Sequence, residues 1–89
     1  MMNVTVISPE RSVYQGDANA LVAPAFDGRV GILPRHAPFI TLLGDGLLTV
    51  REGSETRHIR VRGGFLRVLN DAVDVVAEHA ESVEDSDAA

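Results

Sequence analysis

Residues 58–77 read HIRVRGGFLRVLNDAVDVVA, and the alternation within them decides between helix and sheet. In "HIRVR" Ile59 and Val61 point one way while His58, Arg60 and Arg62 point the other, the period of two of a half-exposed strand. "GFLRVL" and "AVDVVA" flank Asn70-Asp71, a pair that tolerates positive φ, so the spacing predicts a β-hairpin. Asp74 then points to solvent or to an arginine across the strand pair.

Working outward, turn signals punctuate the whole chain: "SPE" at 8, "QGD" at 15, "AFDG" at 25, "LP" at 33, "GDG" at 44, "EGSE" at 52, "RGG" at 62 and "ND" at 70. The runs between them, roughly four to seven residues rich in Val, Ile, Leu and Thr, are too short for helices. Strands are expected near 3–7, 12–15, 18–23, 29–33, 39–43, 47–51, 56–61, 64–69 and 72–77. The expected class is all-β, a sandwich or barrel of about ten short strands. Ser82, with Asp85 three residues on, gives a weak helix-start signal near the chain end. The expected organisation is one β-domain over residues 1–81 and a short, disordered acidic tail over 82–89.

Composition removes whole classes of chemistry. With no cysteine, disulfides, thiolate zinc sites and thiol nucleophiles are excluded. All eight basic residues are arginine, so there is no P-loop lysine, no Schiff-base lysine and no lipoyl or biotinyl attachment point. Aromatics are only Tyr14, Phe26, Phe39 and Phe65, so aliphatic side chains must fill the core. The net charge of −5 arises in residues 78–89, which hold five acids and no Lys or Arg; the rest balances. No basic stripe stands clear of acids, and no nucleic-acid partner is expected. The opening residues lack the pattern of a signal peptide, and no apolar run nears the ~18 residues of a membrane span. The expectation is a cytosolic chain without direct membrane insertion.

No catalytic constellation emerges. His36, His58 and His79 fall in no metal-ligand spacing, Gly28 and Gly31 do not follow a strand and open a helix, and no G-x-S-x-G occurs. No metal or cofactor is expected. The stretch "GRVGILPRHAPFITLL", residues 28–43, sets His36 between Pro34 and Pro38, with no carboxylate or nucleophile beside it. The prolines bias Leu33 and Ala37 towards extended backbone and stiffen the loop, which reads as a structural turn or as a binding surface. A small carbohydrate-type β-sandwich module is the alternative function, and four scattered aromatics without tryptophan make a poor sugar platform.

Over nearly its full length the chain resembles the N-terminal domain of the epsilon subunit of F-type ATP synthases. The resemblance is carried by residues 4–43, "VTVISPERSVYQGDANALVAPAFDGRVGILPRHAPFITLL", by "GDG", by "GGFLRV" and by "NDAVDVVAEHAE". Its most specific part is Gly31-Ile32-Leu33-Pro34-Arg35-His36-Ala37-Pro38, which matches the family's Gly-Ile-x-Pro-x-His-Ala-Pro. The resemblance implies a flattened β-sandwich and a non-catalytic central-stalk subunit, peripheral on the cytoplasmic side of the inner membrane. It implies two partners, the gamma subunit and the polar loops of the c-ring. Arg29, Arg35 and His36 fall where the family meets the c-ring; Ser8, Leu47 and Arg62 fall on or near the gamma-facing side. In this family Arg29 replaces an acidic residue and Arg35 a glycine. Ser86 and Asp87 hold the first two places of the family's nucleotide-binding motif and no arginine follows, so the helical hairpin that brakes ATP hydrolysis is expected to be missing. The isolated domain is expected to be a monomer.

Overall fold

A computed structural model describes residues 1–83, and all its regular elements are strands. They are β1 Met2–Ile7, β2 Ser12–Ala18, β3 Ala20–Ala25, β4 Gly28–Ile32, β5 Phe39–Leu42, β6 Asp45–Glu52, β7 Glu55–Leu69 and β8 Ala72–Val83. The all-β class holds, with eight strands where about ten were expected, and the longest joins two segments that read as separate strands. The segments expected at 56–61 and 64–69 form one strand, β7, of 15 residues.

Within β7 the buried face changes parity. Ile59 and Val61 are buried ahead of the glycine pair, and Leu66 and Val68 are buried after it. Gly63 and Gly64 take φ of 66° and 108°, and a Cβ on Gly64 would overlap the Val76 carbonyl oxygen. "RGG" is therefore a kink inside a strand that resets which residues face inward, not a turn between strands. β5 and β6 pair with β7 in one continuous register, Leu42 opposite Phe65 and Asp45 opposite Arg62, interrupted only at Leu43 and Gly44. There the Leu43 N–H donates to the Gly64 carbonyl at 2.9 Å and the Gly44 N–H to the Pro24 carbonyl at 2.8 Å.

The strands follow the order β2-β1-β8-β7-β6-β3-β4, with β5 also on β7; among the described residues β1 and β8 are the one parallel pair, Val4 beside Val73 and Val6 beside Val75. The core is aliphatic, as the composition requires: Met2, Leu21, Ile32, Leu48, Ile59 and Leu66 are its largest fully buried side chains. No polar or charged residue among those described is buried. Asn70 and Asp71 take φ of 51° and 63°, the left-handed pair of a two-residue hairpin turn, and close β7 onto β8. Asp74 meets an arginine across that hairpin, Arg67, at 2.8 Å.

Two local expectations are corrected, the first at "QGD", which lies inside β2 rather than at a turn. Ser82 does not start a helix; it lies in β8 opposite Ile59, because the first half of β7 needs a partner strand and β8 continues to supply it. The rest of the tail expected over 82–89, from residue 84 on, lies outside the described residues.

Candidate functional site: the surfaces of the sandwich

Three surface regions stand out, the first at one end of the sandwich. After β4 the chain turns through Leu33 to Pro38, with the His36 N–H donating to the Leu33 carbonyl at 3.2 Å. Arg35 takes φ 70°, a left-handed conformation that is costly for an arginine, and its backbone N–H donates to Asp71 Oδ1 at 2.6 Å. Asp71 in turn accepts the Asn3 N–H on its carbonyl at 2.8 Å, so the loop, the β7–β8 turn and the start of β1 are tied together.

His36 is half-buried rather than held fully outward. Its ring meets Phe39 edge-on, centroids 5.5 Å apart, and Nδ1 lies 2.8 Å from the Ala37 carbonyl oxygen. A carbonyl only accepts, so Nδ1 is the donor in this contact. Arg35 is exposed beside it. Arg29 is also exposed but sits opposite Pro24 near the start of β4, whereas the loop leaves the other end of that strand. The structure thus brings Arg35 and His36 together and separates Arg29 from them.

The second region is a charged hollow of about 490 Å³ lined by Ser8, Arg11, Arg60, Arg62, His79 and Glu81, among others. The loop after β1 forms one wall, closed by the Ser8 N–H to Arg11 carbonyl bond at 2.9 Å. Arg62 lies 3.7 Å from Asp45. Of the three positions expected to face gamma, Ser8 and Arg62 line this hollow; Leu47 is opposite Arg60 in the adjoining strand pair.

The third region escaped the sequence reading. Leu42, Phe65, Val76 and Ile7 are register neighbours on β5, β7, β8 and β1, and they form an apolar row across the outside of the sheet. Phe65 reaches the outside because of the parity change at Gly63-Gly64. Continuing the alternation of Ile59 and Val61 would have placed it in the core.

A fourth cluster is structural. The Tyr14 hydroxyl donates to Glu52, which also takes Arg57 Nε at 3.2 Å, joining β2 to the β6–β7 hairpin. Burial and then the Glu52 carboxylate push the Tyr14 hydroxyl well above its ordinary pKa, while the bond from Tyr14 holds Glu52 below the usual carboxylate range.

Residues 1–83 match the family model described as "ATP synthase, Delta/Epsilon chain, beta-sandwich domain". The chain is similar to the ATP synthase epsilon chain of Leptospira borgpetersenii, 43% identical over 86 residues, covering 97% of this chain and 68% of that one. It is similar to the ATP synthase epsilon chain of Caulobacter vibrioides, 35% identical over 79 residues, covering 89% of this chain and 92% of that one. In fold it resembles a chain of the Euglena gracilis mitochondrial ATP synthase, with a TM-score of 0.86 at 23% identity, covering 94% of this chain and 54% of that one. With an eight-stranded sandwich, a Pro-Arg-His-Ala-Pro end loop and a match that runs through the last described strand, the chain belongs to the delta/epsilon family of ATP synthase subunits.

Proposed function

We propose that the protein is the epsilon subunit of a proton- or sodium-translocating F-type ATP synthase, a peripheral rotor component that joins the gamma subunit to the polar loops of the c-ring. The observation that carries the reading is the likeness to the Caulobacter epsilon chain, which spans 92% of that chain. A relative little longer than the sandwich supports a role performed by the sandwich itself. The subunit then works on the cytoplasmic side of the membrane; no helix among the described residues is long and apolar enough to cross one.

The geometry suits a coupling part. A force on Arg35 or His36 passes through the Arg35–Asp71 bond into the β7–β8 turn, and from there along the two longest strands. The end loop is stiffened by Pro34 and Pro38 and by its tie to Asp71, so it transmits displacement with little slack. Arg35 and His36 are the residues offered to the ring. Within these 89 residues the reading assigns docking and coupling, and no braking of hydrolysis.

Co-expression with the gamma subunit and c-ring of the same organism tests this reading. The expected result is a complex that co-purifies and, when reconstituted, couples ATP synthesis to an ion gradient. A chain that purifies free of both partners at low and at moderate salt would refute it.

A further inference from the structure

The chain contains two Asp-Gly steps, Asp27-Gly28 and Asp45-Gly46. Both stand in stretches that read as turns, and the fold places Asp27 in one and Asp45 in a strand. Asp-Gly is the step at which a carboxyl group closes most readily on its own backbone. Glycine has no Cβ to shield the attacking nitrogen, and the single aspartate methylene gives a five-membered ring. In a folded protein the ring forms only where the backbone is free to bring the carboxyl carbon onto that nitrogen.

Asp27-Gly28 has this freedom. Phe26 and Asp27 are the two turn residues between β3 and β4, and residues 26–29 are all exposed. Gly28 takes φ of 132°, and the place a Cβ would occupy has nothing within 4 Å. No ion pair among the described residues involves Asp27. β4 ends the strand order, so the backbone beyond Gly28 is held by β3 alone.

Asp45-Gly46 lies inside a ladder. Asp45 is opposite Arg62 and Gly46 opposite Val61, and the Asp45 carboxylate is 3.7 Å from Arg62 Nε. Gly46 is packed against Pro24, whose Cβ would lie 3.1 Å from a Cβ placed there. Turning this backbone to the ring geometry opens the pairing of β6 with β7, whereas an exposed turn fluctuates at little cost.

We propose that Asp27 is a modification site, which isomerises to isoaspartate through a succinimide in the folded protein while the fold protects Asp45. The Gly28 nitrogen attacks Asp27 Cγ; the N–Cγ bond forms, one Cγ–O bond breaks, and that oxygen leaves as water with the amide proton and the acid proton. Water then adds to one of the two ring carbonyls. Breaking the bond from nitrogen to the main-chain carbonyl carbon leaves the chain running through the former side chain; breaking the other restores aspartate. The sum is an isomerisation without change of mass, and water is its only co-reactant. The product carries an extra methylene in the main chain between the paired residues Ala25 and Gly28. It also carries a free α-carboxylate, the methyl acceptor of S-adenosylmethionine-dependent isoaspartyl methyltransferases.

The test is incubation of the folded full chain at neutral pH, followed by cleavage after arginine, which separates the two sites into peptides 12–29 and 36–51. Isoaspartate is read by chromatography of each peptide and by methyl transfer from labelled S-adenosylmethionine. It is expected to accumulate at position 27 about tenfold faster than at position 45, and the two rates are expected to converge in concentrated urea, where the ladder is gone. Asp27→Glu, which would need a six-membered ring, is expected to remove most methyl acceptance from the folded chain; melting confirms that the variant folds. Equal rates at the two positions in the folded chain would overturn the proposal. So would a position 27 that stays aspartate when folded but reacts in urea, or methyl acceptance that survives Asp27→Glu.

Discussion

The backbone N–H of Arg35 and the carboxylate of Asp71 lie 2.6 Å apart and join two turns separated by 36 residues of sequence. Each of the two residues sits at positive φ, 70° for Arg35 and 63° for Asp71. The bond holds the end loop in a conformation its own residues do not favour. Arg35→Gly is expected to raise stability by about 1 kcal/mol in urea unfolding, since glycine takes positive φ without the Cβ clash. Asp71→Gly, which keeps the turn's φ and removes only the carboxylate, is expected to speed amide exchange at Arg35 about tenfold. Unchanged exchange would show that the loop stands without this tie.

Gly64 and Gly31 make a paired test of the kink. A methyl on Gly64 overlaps the Val76 carbonyl at φ 108°, whereas a Cβ on Gly31 meets nothing within 4 Å. Gly64→Ala is expected to cost about 3 kcal/mol or more and Gly31→Ala to be neutral or mildly stabilising. Equal effects in thermal unfolding would remove the kink from the account of the fold.

The parity change predicts which leucines matter for stability. Leu66 is fully buried and Leu42 is 60% exposed. Leu66→Ala is expected to cost about 2–5 kcal/mol and Leu42→Ala less than about 0.5 kcal/mol, read from the urea midpoint at constant slope. A reversed order would mean that β5 and the second half of β7 present their other faces.

The Tyr14–Glu52 bond makes stability depend on pH at both extremes. Glu52 has a lowered pKa in the fold, so its contribution is complete above the ordinary carboxylate range and is lost as pH falls through that lowered value. The Tyr14 pKa is raised, so its contribution is complete below about 10 and declines as pH rises beyond that. Tyr14→Phe is expected to cost about 1–2 kcal/mol at neutral pH and to flatten both limbs of the stability profile. Parallel profiles for the two proteins would show that the bond contributes nothing.

The sheet was legible in the sequence because period two survives where a strand has one wet face: Ile59 and Val61 share a face as read, and that face is buried. The hairpin turn was legible because Asn70-Asp71 is among the few pairs that accept two left-handed residues. The joining of two strands through Gly63-Gly64 was not, since glycines mark a turn and a bulge with the same letters. The same ambiguity hid the apolar row, whose members are adjacent only through pairings of strands distant in sequence, Leu42 with Phe65 and Val76 with Ile7. His36 could be placed in a stiff loop from its prolines, but its packing on Phe39 depends on where β5 begins. Arg29 and Arg35 are six residues apart and read as one group, but Arg29 is near the start of β4 and Arg35 lies in the loop beyond its other end.

The parallel pairing of β1 with β8 has a consequence for how the molecule comes into being. Residues 3–7 find their neighbours at 72–76, so β1, made first of the eight strands described, waits for β8. Until then Val4 and Val6 have only β2 beside them, and a two-stranded ribbon is marginal in water. Assembly of the sandwich is therefore expected only once β8 is available, in one late step on a scale of milliseconds to seconds rather than microseconds, which stopped-flow refolding can time. In the interval the nascent subunit exposes an unpaired aliphatic edge, and early capture by a partner would shorten that exposure.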